Sequence, residues 1–180
     1  MIGARAGRRF EEAMLPHIEA AYEVARWLTG SSHDAEDVVQ EAYLRAFQFF
    51  DGWHGDNARA WLLAIVRNTA MSWLGRNRPK HVASMAPEAL AAASDWAVQR
   101  GDLAVITPEK EAIELAERSE LLRVLEALPV PFKEVLVLRE LQDFSYREIA
   151  AITGVPEGTV MSRLARARAE LRRLWLKRDR

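Results

Sequence analysis

The sequence predicts an all-α protein built as two small helical bundles joined by a flexible linker, the C-terminal bundle containing a helix-turn-helix. Three observations lead there. Apolar residues recur at spacings of three and four along most of the chain, and the β-branched alternation of a half-buried strand is missing. A central stretch rich in alanine, with Pro87 and Pro108 and weak periodicity, separates two strongly periodic parts. Near the C-terminal end a short helix, a glycine turn and a longer basic helix follow one another.

Taken in order, the first helix is expected from Arg9 to Leu28, with Leu15, Ile18, Tyr22, Ala25 and Leu28 inward and Thr29-Gly30-Ser31-Ser32 ending it. Pro16 either bends that helix or resets its start. The second begins near His33-Asp34 and runs to about Phe49, burying Val38, Val39, Ala42, Tyr43 and Ala46. Asp51 to Asn57 reads as a loop, after which Leu62, Ile65, Val66, Thr69 and Trp73 mark a third helix that frays at Arg78-Pro79. This gives a domain over 1–80, a linker over 81–108 with a short helical piece around Pro87 to Gln99, and a domain over 109–180. In the second domain helices are expected from Glu109 to Ala127, from Pro131 to Leu141, from Tyr146 to Ile152 and from Pro156 to about Lys177.

Bulk properties narrow the function. At 180 residues, 49% hydrophobic and 28% charged, the chain has the balance of a folded protein. No apolar run approaches the roughly 18 residues of a membrane span, and the basic start is not followed by a signal-peptide core, so a cytoplasmic protein without membrane insertion is expected. Cysteine is absent, which removes disulfides, thiolate metal sites and cysteine nucleophiles. His17, His33, His54 and His81 are widely spaced and form no helical metal pair, and no phosphate loop or nucleophile motif is present. No catalytic residue, metal or cofactor is expected.

A net charge of −1 conceals a strong asymmetry. Thr159 to Arg180 holds eight Arg/Lys against Glu170 and Asp179, whereas His81 to Glu126 holds four basic and nine acidic residues. A basic tail of this kind is the electrostatic footprint of a nucleic-acid partner.

The helix-turn-helix rests on local chemistry. Ser145-Tyr146-Arg147-Glu148 has the form of a capping box, Gly154 suits a left-handed helix end, and Pro156 suits the start of the next helix. On that next helix Thr159, Ser162, Arg163 and Arg166 lie near the N-terminal end that faces bases in this motif, with Val160, Leu164, Ala167 and Leu171 on the buried stripe. Arg168, Arg172 and Arg173 suit phosphate contacts or plain surface charge rather than base reading.

The run Ser145 to Ala150 followed by Gly158 to Arg168 closely resembles region 4 of extracytoplasmic-function sigma factors. Asp34 to Ala46, with Trp61-Leu62, Ile65 and Asn68, resembles region 2 of the same family. The resemblance implies a transcription initiation factor that directs core RNA polymerase to promoter DNA and is held inactive by an anti-sigma factor. It implies that region 2 binds the polymerase clamp helices and melts the minus-ten element, and that region 4 binds the flap and reads the minus-thirty-five element. Asp34, Asp37, Gln40, Glu41 and Arg45 share a polar helix face suited to a polymerase helix rich in arginine. Trp53, His54 and Asn57 are candidates for receiving an unstacked base, with Arg67, Asn68, Arg76 and Arg78 extending the strand-binding side. Ser72, Gly75 and Ala165 depart from the family pattern, which tends to have Asp, Arg and a larger side chain there. The alternative is a self-sufficient helix-turn-helix regulator, which would bind duplex DNA unaided as a symmetric dimer.

Overall fold

The computed structural model describes residues 2–81 and 123–177, and every regular element among them is helical. The expected linker and most of the expected Glu109 to Ala127 helix lie outside the described residues.

The first expected helix is two. Helix α1 (Ile2–Met14) ends in a tight 3₁₀ turn, Leu15–His17, and α2 (Ile18–Thr29) starts afresh. Pro16 occupies the turn because it has no amide to give and its ring excludes a continuing α-helix. The tight turn also shifts the helical phase. Leu15 and Ile18, expected inside, are 49% and 50% exposed, and the buried stripe is Ala21, Val24, Ala25 and Leu28 with Tyr22 half-buried. The Met14 carbonyl at the break accepts a hydrogen bond from the Tyr43 hydroxyl at 2.9 Å.

Gly30 closes α2 at φ 77°, donating to the Arg26 carbonyl at 2.9 Å. Helix α3 (Ser32–Phe49) opens slightly earlier than expected because Ser31 is its cap, accepting from the Asp34 amide at 3.3 Å. Val38, Val39, Ala42 and Ala46 are buried as expected, Ala35 joins them one turn earlier, and Tyr43, expected inside, is half-buried at the edge. Helix α4 (Ala58–His81) is capped by Asn57, whose side-chain oxygen accepts from the Ala60 amide at 2.9 Å. It passes through Pro79, where fraying was expected; the proline withdraws one amide from the ladder without ending the helix.

In the second bundle α5 (Val130–Leu136) widens into a π-helical turn, Val137–Leu141, in which Gln142 donates to the Val137 carbonyl at 3.1 Å. Asp143 then takes a left-handed conformation at φ 54°, which an aspartate tolerates better than most residues. Helix α6 (Tyr146–Thr153) carries the predicted capping box: Ser145 Oγ accepts from the Glu148 amide at 3.3 Å, and Glu148 Oε2 accepts from the Ser145 amide at 2.9 Å. Gly154 turns the chain at φ 70° into α7 (Glu157–Lys177), with Val160, Leu164 and Ala167 buried.

The capping box makes a checkable prediction. The hydroxyl and amide of Ser145 are the leading cause holding Glu148 below the ordinary carboxylate range. A depressed folded pKa means the stabilisation is complete above the unfolded value and is lost as pH falls through the folded one. Ser145→Ala is expected to cost about 1 kcal/mol at neutral pH. Wild type and Glu148→Gln are expected to converge in melting temperature as the solution is acidified; a constant gap across the acid range would refute the assignment.

Helices α2, α3 and α4 pack as one bundle and α5, α6 and α7 as another. The two bundles also pack on each other, α4 against α6 and α2 against α5, and share a continuous buried core. Leu63 is fully buried although it lies off the expected α4 stripe. Arg59 and Arg67, one turn to either side of it, both bond to the second bundle, so its face of α4 is the one turned toward that bundle.

Candidate nucleic-acid interface

Helix α7 presents Ser162 and Arg166 on an exposed face beside half-buried Thr159, with Met161 54% exposed next to them. The buried stripe of Val160, Leu164 and Ala167 on α6 fixes this direction. Sequence reasoning passed over Met161, although its place one residue before Ser162 puts it on the outward side. Arg163 departs from the expectation that it shares this face. It lies beside the buried stripe, 26% exposed, with its guanidinium 3.8 Å from Glu134. Arg168 pairs with Glu140 at 2.7 Å, across from the turn that precedes α6.

The loop after α3 is a packed aromatic corner. Trp53 stacks on Phe50 at 5.8 Å and tilts against Trp61 at 5.7 Å, while Phe10 meets Phe50 edge-on at 5.3 Å. Its indole nitrogen sits where a Cβ on Gly55 would come within 3.0 Å, so glycine lets the loop close over the ring. Trp53 is therefore a half-buried wall, and Asp51, His54, Asp56 and Asn57 are the exposed polar side chains of the loop.

Along α4, Asn68 is exposed and its side-chain oxygen accepts from Arg67 at 3.1 Å. Arg76 lies 3.5 Å from Glu41 on α3. The Arg78 side chain lies outside the described residues. Arg67 Nε donates to Glu134 Oε1 on α5, so the same buried carboxylate, 2% exposed, faces both Arg67 and Arg163. Asn57 donates to Glu148 at 2.9 Å, and Arg59 donates to the Gln142 carbonyl at 2.9 Å while covering the Phe144 ring at 4.7 Å. Two expected strand-binding residues, Asn57 and Arg67, thus have partners in the second bundle.

On α3, Asp37 and Gln40 are exposed, Glu41 accepts from Arg45 one turn on, and Asp34 lies at the helix start. Leu44 and Phe47 stand out beside them, 66% and 51% exposed. Sequence reasoning missed these two, although Leu44 follows Asp37, Gln40 and Glu41 at helical spacings of seven, four and three. The Phe47 ring packs edge-on against Phe10 at 5.1 Å on one side, and the exposed apolar pair beside acidic groups suits a partner protein better than DNA.

Two helical bundles, one bearing a helix-turn-helix with an outward basic face and the other an acidic-apolar face, define a DNA-binding protein that also docks on a protein partner. The sequence model of Sigma-70 region 2 matches residues 14–79, and that of Sigma-70 region 4 matches residues 118–171. The ECF RNA polymerase sigma-E factor of Escherichia coli strain K12 is 39% identical over 141 residues, spanning 76% of this chain and 71% of that protein. The ECF RNA polymerase sigma factor SigE of Mycolicibacterium smegmatis is 31% identical over 163 residues, 91% of this chain and 60% of that protein. The chain belongs to the extracytoplasmic-function family of RNA polymerase sigma factors.

Two solved structures share the fold. The sigma factor RpoE in complex with the anti-sigma factor NepR from Bartonella quintana aligns with a TM-score of 0.67 at 26% identity, over 96% of this chain and 99% of that one. CnrH in complex with the cytosolic domain of CnrY aligns with a TM-score of 0.64 at 26% identity, over 98% and 96%. Among the described residues no helix is long and apolar enough to cross a membrane.

Proposed function

We propose that residues 1–80 act as region 2, residues 81–108 as the linker and residues 109–180 as region 4, and that the chain works in the cytoplasm without catalytic activity of its own. Asp34, Asp37, Gln40, Glu41 and Arg45, together with Leu44 and Phe47, dock on core RNA polymerase. Thr159, Ser162 and Arg166 read the upstream promoter element. His54, Asn57, Arg67, Asn68, Arg76 and Arg78 line the strand-binding side, and Trp53 shapes the loop from within. A separate anti-sigma protein holds the chain inactive, a reading supported by the similarity of this fold to a sigma factor solved in complex with an anti-sigma factor. Arg163 is assigned to Glu134 rather than to a base.

The observation that carries this reading is the capping-box helix-turn-helix with Ser162 and Arg166 exposed at the start of its second helix. The chain mixed with core polymerase and a promoter library should give specific transcription only when both are present. Specific duplex binding by a symmetric dimer of the chain alone would favour the self-sufficient regulator instead. Arg166→Ala is expected to lose about 1–3 kcal/mol of discrimination at one upstream base pair, read as the spread of transcription across single-base promoter variants. Arg163→Ala should leave that spread unchanged.

A further inference from the structure

Four residues at the start of α7 carry the expected base contacts, and the structure shortens the reach of three. Arg163 turns to Glu134. Thr159 is half-buried, and the Ser162 hydroxyl donates back to the Thr159 carbonyl at 3.0 Å, so only its acceptor lone pairs face outward. Arg166 is the long side chain of the four that stands on the exposed face, and it covers one flank of it. Met161, five residues earlier, lies about 140° away around the helix, on the opposite flank.

A single exposed hydrophobe is ordinary on a protein surface; the neighbours of Met161 make this one informative. Ala165, one turn on, is exposed and small, and Gly158, three residues before, is exposed as well. A Cβ built on Gly158 would meet nothing within 4 Å, and its backbone is not left-handed, so nothing inside the chain calls for glycine there. Glycine nonetheless weakens a helix, and its use is to let another molecule approach the backbone closely. On the same flank Glu157 carries a charge that the phosphate backbone repels, and Arg168 is held by Glu140 at 2.7 Å. The thioether of Met161 is what this flank sets against a base pair. In the major groove thymine presents its 5-methyl group, an apolar target that cytosine lacks, and an unbranched, polarizable methionine adapts its shape to such a group.

We propose that Met161 is a specificity-determining residue of α7, packing its thioether on the 5-methyl group of one thymine in the upstream promoter element. The proposal rests on the reading of α7 as the base-facing helix. Arg166 reads a hydrogen-bonding edge from one flank and Met161 an apolar edge from the other, so the two residues select different base pairs. Gly158 and Ala165 beside Met161 add no bulk that would hold the helix away from the groove floor.

The test uses the full chain with core polymerase, at limiting chain, on promoters carrying single uracil-for-thymine replacements through the upstream element. Uracil keeps the pairing and the O4 acceptor of thymine and lacks only the methyl group. At one position uracil is expected to lower transcription about fourfold, the worth of one methyl group moved out of water. Met161→Ala is expected to transcribe the thymine and uracil templates equally at that position, whereas Met161→Leu, which keeps an apolar reach, retains most of the difference. Arg166→Ala is expected to keep the uracil effect and to lose discrimination at a different base pair. Equal transcription from thymine and uracil at every position with the wild-type chain would overturn the role of Met161, even with Arg166→Ala still losing discrimination. So would a uracil penalty undiminished in Met161→Ala. Unchanged promoter choice in both Arg166→Ala and Met161→Ala would instead sink the reading of α7 as the base-facing helix, and the proposal with it.

Discussion

Asp37→Lys with Glu41→Lys is expected to abolish joining of the chain to core RNA polymerase while leaving the fold in place. Asp37 is exposed, and Glu41 makes only surface pairs, with Arg45 one turn on and with Arg76 at 3.5 Å. Exposed pairs of this kind are worth about 0–1 kcal/mol each, so losing them, and placing a new cation near two arginines, costs the fold little. An interface is less forgiving. Setting like charges opposite one another across it costs several kcal/mol, and Leu44 beside them, 66% exposed, brings the partner close enough to desolvate the charges. Helicity and melting temperature near wild type together with failure to co-migrate with core enzyme is the expected result. Normal co-migration would reduce this face to solvated surface, and a collapsed melting transition would make it part of the core.

The second large effect is on stability. Leu164→Ala is expected to cost about 2–5 kcal/mol, against a total for a domain of this kind of about 5–15 kcal/mol. Leu164 is 1% exposed within a core that includes Ile149, Ile152, Val160 and Leu138, each at most 3% exposed, so no solvent or flexible side chain is at hand to fill the space. Met161→Ala, three residues earlier on the exposed side of the same helix, is the matched control and should stay within about 0.5 kcal/mol. Urea unfolding followed by circular dichroism reads both. A loss below about 1 kcal/mol for Leu164→Ala would mean that α6 and α7 are not packed as described.

What sequence could reveal followed from how local each feature is. The capping box at Ser145 and Glu148, the left-handed Gly154 and the stripe of Val160, Leu164 and Ala167 depend on residues within one or two turns of each other, and all were legible. The α3 stripe was legible for the same reason. The α2 stripe was legible only in its second half, at Tyr22, Ala25 and Leu28, because a proline can bend a helix or restart it. Only the geometry of the Leu15–His17 turn fixes the phase that follows, and it left Leu15 and Ile18 exposed.

The surface roles divide similarly. That Ser162 and Arg166 face outward was implied by their spacing from a strongly apolar stripe. That Arg163 turns to Glu134 was not, since position 163 lies at the border between the two faces and its direction is settled by a carboxylate 29 residues away in the chain. The π turn at Val137–Leu141 and the left-handed Asp143 likewise left no clear pattern, although they place Gln142 and Phe144 against Arg59.

The sequence alone determined the helical class, the helix-turn-helix and the family, because periodicity, caps and motif residues are properties of short stretches. The tertiary structure alone decided that the two bundles close on each other and that Asn57 and Arg67 are occupied in that state. Those pairings join Asn57 to Glu148 and Arg67 to Glu134, across 91 and 67 residues. The physical reason is that a charged side chain in a sequence shows only what it can bind, whereas which acceptor it meets depends on where folding brings a distant one.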